Sequence, residues 1–358
     1  MYRAVKYHRI DGVKKKSRHI CCHNAVLLCW TLALVILMYS TTWLVAPCSY
    51  NLRPVNSTIY HRPRSIAFGS CQDNWIDHRA ITMVNSDVFI YLGDNIYGDD
   101  GTEILNDWFP RHWLWYRHVL YNKLSCRTSF QQLVDRTPYV LSVWDDHDYG
   151  SDNDNHKNPI KQEARLSFLN FWRVPIHSER RAANAGGIFG SYRFEFDRQN
   201  TILILLLDMR WFNGITESEV LGVEQLDWIE RELNKPPVPT LVVVASPLPF
   251  SNKCSNKFRG DRSRLASLLR PEKTVFISGD VHYAGIYRSD EGYLDVTSSP
   301  LAMTYPWTSP KKEAKGDHQN CGALSNNLFV DNFGYLDLET NTAFVHGADG
   351  STLSYKWK

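Results

Sequence analysis

Acidic, thiol and imidazole side chains recur in this chain just past short apolar runs. Cys71 and Asp73 follow the run 66–69, and Asp94 and Asn95 follow 87–92. Asp145, Asp146 and His147 follow 139–144, Asp208-Met209-Arg210 follows 201–207, and Asp280 and His282 follow 274–277. Carboxylates gathered in one place repel one another and are driven towards neutrality unless cations lie between them. Hard cations take oxygen ligands, whereas iron and zinc also accept imidazole and thiolate. The set Cys71, Asp73, Asp94, Asn95, Asp145, Asp146, His147, Asp280 and His282 therefore reads as a site for two or more metal ions. Taken singly each motif has a plainer reading. Gly93-Asp94 is a turn with a capping acid, the acids 145–148 are a solvated loop, and Cys71 is a buried inert thiol. It is their joint recurrence that carries the metal reading.

The elements that must position these residues are strands. The runs are rich in β-branched and aromatic residues, and TILILLL (201–207) and TVFIS (274–278) show no alternation, as expected of strands buried on both faces. Helices are expected between them, for example over 162–172 and 223–233, the latter with Leu226, Trp228, Ile229 and Leu233 near helical spacing. Later strands are expected over 293–297, 334–338 and 343–346. Alternation of short apolar runs with longer periodic ones predicts an α/β fold. In such folds, polar residues just past the C-terminal ends of buried strands converge on one crevice.

The blocks IAFGSCQD, FIYLGDNIYGDD, VWDDHDYGSDND, LLLDMR and FISGDVHYAGI, spread in this order over 66–301, resemble those of the alkaline phosphatase D (PhoD-like) family, a branch of the calcineurin-like metallophosphoesterases. The resemblance implies a four-layer α/β/β/α sandwich that hydrolyses phosphoric esters, mono- or diesters, by a metal-bound hydroxide. It implies Cys71 as a thiolate ligand, to iron first of all, and Asp94 as the carboxylate bridging two metals. Asp146 falls where the wider superfamily has a metal-binding Asn. His147 would protonate the leaving alkoxide, and Asp280 and His282 would complete the metal shells. Arg210 would clamp the phosphate oxygens, against the plainer reading of an ion pair with a neighbouring acid. Three departures bear on metal identity. Asp73 stands where bacterial members have Tyr, Asn95 lies in GDNIYG where they have GDYIYE, and Ser246-Pro247 lacks a His common in the superfamily. One metal is then held by oxygens alone, as calcium would be; zinc and manganese are the alternatives to iron and calcium.

Charge divides the chain. Residues 1–23 hold seven Lys/Arg against Asp11, net +6; residues 24–46 hold none, so the chain's total of +2 leaves −4 for the remainder. A mildly acidic body gives no electrostatic reason for nucleic-acid binding. The 22 residues 25–46 are apolar and long enough to cross about 30 Å of hydrocarbon, with Trp30 and Trp43 towards the ends, where aromatic rings prefer the interface. Preceding Lys and Arg keep the N-terminus cytoplasmic, which predicts a single-pass type II membrane protein with its body lumenal or extracellular. The expected organisation is a basic tail (1–24), a signal anchor (25–46), a stalk (47–63) containing three prolines, and a catalytic domain (64–358). Asn56-Ser57-Thr58 is a glycosylation sequon in that compartment. Five cysteines follow the anchor: Cys48, Cys71, Cys126, Cys254 and Cys321. With Cys71 on a metal, four remain for two disulfides of open pairing.

Two other readings compete. One is a catalytically silent, membrane-tethered binding module on the same fold, against which the joint presence of Asp94, Asp146, His147, Asp280 and His282 argues. The other is a serine hydrolase, but Ser70 and Ser246 do not sit in a G-x-S-x-G elbow. A soluble or lipid phosphoric ester suits the first reading equally, since nothing in the sequence reads the leaving group or the oligomeric state.

Overall fold

The unalternating apolar runs form the central strands because both of their faces meet protein. A computed structural model describes residues 30–31, 48–76, 79–99, 110–182, 186–196, 200–216, 219–251, 257–258, 260–303 and 322–358. Among these, the strands are β1 (Thr58–Ile59), β2 (Ser65–Gly69), β3 (Val88–Leu92), β4 (Tyr139–Val143), β5 (Gly190–Glu195), β6 (Thr201–Leu206) and β7 (Leu241–Ala245). They continue as β8 (Thr274–Ser278), β9 (Gly285–Arg288), β10 (Leu294–Thr297), β11 (Asn332–Asp337), β12 (Thr342–Gly347) and β13 (Thr352–Lys356). One sheet has the order β1-β5-β6-β7-β8-β10-β9, the other β13-β12-β11-β2-β3-β4. Strands β6, β7 and β8 run parallel, and so do β2, β3 and β4. Each parallel set therefore delivers its C-terminal ends, and the polar residues beyond them, to one edge.

The two faces of β6 show the layering. Ile202, Ile204 and Leu206 join a core that contains Phe68, Ile90 and Val143 of the other sheet. Leu203 and Leu205 join a second core with Leu226, Trp228 and Ile229 of the helix Gly222–Asn234. The second sheet is covered in turn by the helix Thr128–Arg136, whose Phe130 ring lies 6.3 Å from that of Tyr91. Helix, sheet, sheet, helix is the expected order. The helices predicted over 162–172 and 223–233 occur as Lys161–Phe171 and Gly222–Asn234.

The stalk is corrected. The described residues of 47–63 do not extend away from the domain but lie along it. Cys48 is disulfide-bonded to Cys126, the Tyr50 ring stacks on Phe171 at 5.4 Å, and β1 pairs with β5. Leu52, Val55 and Ile59 are buried in the main core. The prolines suggested a spacer, but these apolar residues between them had a core to enter. Asn56 is exposed. Cys48–Cys126 is one disulfide of the two expected; Cys254 and Cys321 lie outside the described residues. So does the expected anchor 25–46, apart from Trp30 and Thr31. Among the described residues no helix is long and apolar enough to cross a membrane.

Candidate metal centre

Backbone geometry marks the strand ends before any side chain is considered. Cys71 (φ 57°), Asp94 (φ 48°), Asp280 (φ 68°) and His282 (φ 55°) all adopt the left-handed region, which costs a residue with a Cβ about 1–3 kcal/mol and clusters at functional sites. Gly93 (φ 98°) has no such cost, and a Cβ there would meet the Asp145 Cβ at 2.6 Å. The turns are tied together: the Cys71 N–H donates to the Gly93 carbonyl at 3.1 Å and the Gln72 N–H to that of Asp94 at 3.0 Å.

Two donor groups result, and they share Asp94. Cys71, Asp94 and His282 bring ligand atoms within 4.8 Å of one another, and so do Asp94, Asp146 and His147. The Cys71 Sγ lies 3.5 Å from Asp94 Oδ2, and both residues are buried. Asp94 Oδ1 is buried with no hydrogen-bond partner among the described residues. Burial, and after it Asp146 and Asp145, push the Asp94 carboxyl well above the usual range. Burial and then Asp94 push the Cys71 thiol up in the same way. A cation between them would remove both penalties. A thiolate, an imidazole and a shared carboxylate, with one buried oxygen unpartnered, are a donor set that fits metal ions.

The remaining expected ligands are placed otherwise. Asp145 accepts from Arg210 Nε at 2.5 Å, and Arg210 Nη2 lies 3.4 Å from Asp146 Oδ2. Arg210 is buried and fixed by Asp208, which accepts its backbone N–H at 2.9 Å and that of Trp211 at 3.0 Å. Of the two readings of Arg210, the structure shows the ion pair with neighbouring acids; its Nη2 is buried with no hydrogen-bond partner among the described residues, so one edge of the guanidinium is left for a phosphate oxygen. Burial alone would lower the Arg210 pKa, but Asp145 and Asp146 raise it. Asp145 lies outside both donor groups. Burial lifts its carboxyl, against Arg210, to about 7. Asp146 is lowered, because Arg210 and His147 outweigh its burial. Asp73 closes a turn by accepting the Trp75 N–H at 2.5 Å. Asn95 donates through Nδ2 to Val143 O at 2.9 Å and to Asp148 Oδ2 at 3.1 Å, while its Oδ1 is buried without a partner among the described residues. Asp280 pairs with Lys257 at 3.5 Å and lies outside both groups as well.

Three residues that sequence reasoning passed over complete the arrangement. Asp99 Oδ1 lies 2.6 Å from His147 Nδ1, and its Oδ2 accepts the Asp152 N–H at 2.9 Å. Burial opposes the imidazolium, but the Asp99 hydrogen bond and the charges of Asp94 and Asp146 push the His147 pKa up to about 10. Asp148 accepts from the Asn95 and Asp145 backbones at 3.1 and 3.2 Å and from the Tyr121 hydroxyl at 3.1 Å, with burial raising it to about 6. The Tyr97 hydroxyl lies 3.3 Å from His282 Nε2, and its ring lies 4.3 Å from that of His147. The available signal was proximity in sequence: Tyr97 and Asp99 share the block that begins at Gly93, and Asp148 follows His147.

A family model of PhoD-like phosphatases matches residues 66–347. Fold and match together define a phosphoric-ester hydrolase. The chain belongs to the PhoD-like phosphatase family. Comparison with curated protein sequences finds no match. Among solved structures, that of PhoD aligns over 87% of this chain and 70% of its own, at 13% identity and a TM-score of 0.54, a likeness of fold. A purple acid phosphatase from yellow lupin (Lupinus luteus) seeds aligns at 12% identity and a TM-score of 0.49, over 84% of this chain and 54% of its own. A dimetal phosphatase from Danio rerio aligns at 13% and 0.43, over 83% and 100%.

Proposed function

We propose that this chain hydrolyses phosphoric esters at a two-metal centre built on Asp94. The observation that carries the reading is the Asp94 carboxylate, which lies between Cys71 and His282 on one side and Asp146 on the other, with His147 beside them as the proton donor and with Asp94 Oδ1 buried and unpartnered among the described residues. Cys71, Asp94 and His282 would hold one metal, with iron favoured by the thiolate and zinc the alternative. Asp94 and Asp146 would contribute to the second, for which their oxygens suit calcium or manganese. Bound there, the metals supply an acidified water and positive charge for the phosphoryl oxygens.

The chain's own residues do the rest. Asp99 holds the His147 imidazole by Nδ1, which leaves Nε2 to give its proton to the departing alcohol oxygen. Arg210 holds Asp145 and Asp146 in place and favours their charged forms. Asp148 braces the turns after β3 and β4 through Asn95 and Asp145.

The reading also places the domain outside the cytoplasm on an anchor at 25–46. The basic tip before the apolar run, the exposed Asn56 of the sequon and the Cys48–Cys126 disulfide support it, since disulfides persist in oxidising compartments. The test is metal analysis of the purified chain by ICP mass spectrometry, paired with turnover of bis-p-nitrophenyl phosphate by wild type and Asp94→Asn. Stoichiometric metal and turnover that both fall sharply in the variant are expected. A folded wild type that stays metal-free and inactive after supplementation with iron, calcium, zinc or manganese would be a silent binding module instead.

A further inference from the structure

The loop that follows Cys71 carries an exposed indole next to the corner where the N-terminal segment joins the domain. Only Pro47 separates Ala46, the end of the apolar run, from Cys48, and two extended residues span at most about 7 Å. Cys48 is bonded to Cys126, just past the helix Pro110–Ser125, and the residues after Cys48 lie along the domain rather than spacing it off. An apolar run that crosses a bilayer would thus hold the Cys126 corner at the bilayer surface.

That corner has the chemistry of an interfacial surface. Trp75 is 70% exposed, and the Lys123 ammonium lies over its ring. Arg127 lies beside them and donates to the Asp73 carbonyl at 2.8 Å; Asp73 is the acid in the cluster. Indole rings prefer the membrane interface, and lysine and arginine are drawn to anionic headgroups. The same loop reaches the metal centre. Asn74 exchanges two hydrogen bonds with the Tyr97 backbone, at 2.8 and 3.0 Å, and the Tyr97 hydroxyl meets His282.

We propose that Trp75, Lys123 and the Cys48–Cys126 corner form a rim that rests on an anionic bilayer surface, and that the substrate is a phosphoester borne by a lipid of that bilayer. This rests on the reading of the chain as a membrane-anchored phosphoesterase. The rim would bring the headgroup phosphate to the metal centre while the acyl chains stay in the bilayer.

The test uses the full chain in phosphatidylcholine–phosphatidylserine vesicles. Phosphate release is followed from phosphatidic acid in the bilayer and from soluble p-nitrophenyl phosphate. Trp75→Ala and Lys123→Glu should each lower turnover of the lipid ester about tenfold and leave the soluble ester unchanged, which also reports an intact fold. Tryptophan quenching by brominated lipid should be weaker in Trp75→Phe than in wild type. Equal loss on both esters would place the effect of Trp75 and Lys123 on the metal centre or the fold instead of the bilayer and overturn the proposal, as would equal quenching. Turnover of the soluble ester with none of the lipid ester overturns the substrate class alone. If wild type turns over neither ester, the phosphoesterase reading falls and the lipid substrate with it, and quenching still decides whether the rim meets lipid.

Discussion

At His147 burial and neighbouring acids oppose each other, and the acids prevail. The Asp99 hydrogen bond and the neighbouring carboxylates favour the imidazolium, the form that can donate a proton. His147→Asn should lower kcat by about 10²–10⁴-fold for an alkyl phosphate, whose alkoxide needs a proton. The loss should be far smaller for a nitrophenyl phosphate, whose phenolate leaves without one. Equal losses on the two esters would argue against the acid role. Asp99 favours the protonated ring, so its removal lowers the imidazole pKa. Because the protonated ring is the working form, Asp99→Asn should move the alkaline limb of the kcat–pH profile for the alkyl ester to lower pH. A limb that stays in place would show that Asp99 does not govern this proton. The pairing was not legible from spacing: 48 residues separate the partners, and only the approach of the turns after β3 and β4 joins them.

Between elements, the central contact is Arg210 with Asp145 and Asp146, which joins the turn after β6 to that after β4 and so links the two sheets. All three side chains are buried, and removing the cation would leave two acids without compensation. Arg210→Met should destabilise the fold by about 3–5 kcal/mol, read as a lower urea midpoint. A variant of wild-type stability whose KM alone rises would instead favour the phosphate clamp. The central strands were plain in the sequence, whereas β1, β5, β9 and β13 were not expected. The runs TILILLL and TVFIS announced burial on both faces, because side-chain period is a local property that a few residues suffice to show. The contacts of the Arg210 head group were not plain, since a long side chain past a strand end can turn to substrate or to a neighbouring acid.

For the whole molecule, the Cys48–Cys126 bond ties the first described residues of the domain to a point 78 residues away. It restricts the unfolded chain, and replacing both cysteines by serine should lower stability by about 4 kcal/mol, again as a fall in the urea midpoint. An unchanged midpoint would mean that the packing of Tyr50, Leu52 and Val55 holds this segment without the bond. Those apolar residues were present in the expected stalk, but the three prolines around them outweighed them as a signal.

The sequence by itself determined the central strands, the class of chemistry and the candidate donor residues. Those properties depend on residue type and on distance along the chain, and the donors stand at strand ends, where a single block of sequence shows both the strand and the polar residues beyond it. Tertiary structure decided which donors meet. It grouped Cys71, Asp94 and His282, and Asp94, Asp146 and His147, turned Arg210 onto the acids, gave His147 its partner Asp99, and laid residues 48–59 onto the domain. Each of those outcomes depends on distances across space, set by how two sheets pack and which strand ends they bring to one edge, and no local pattern encodes them.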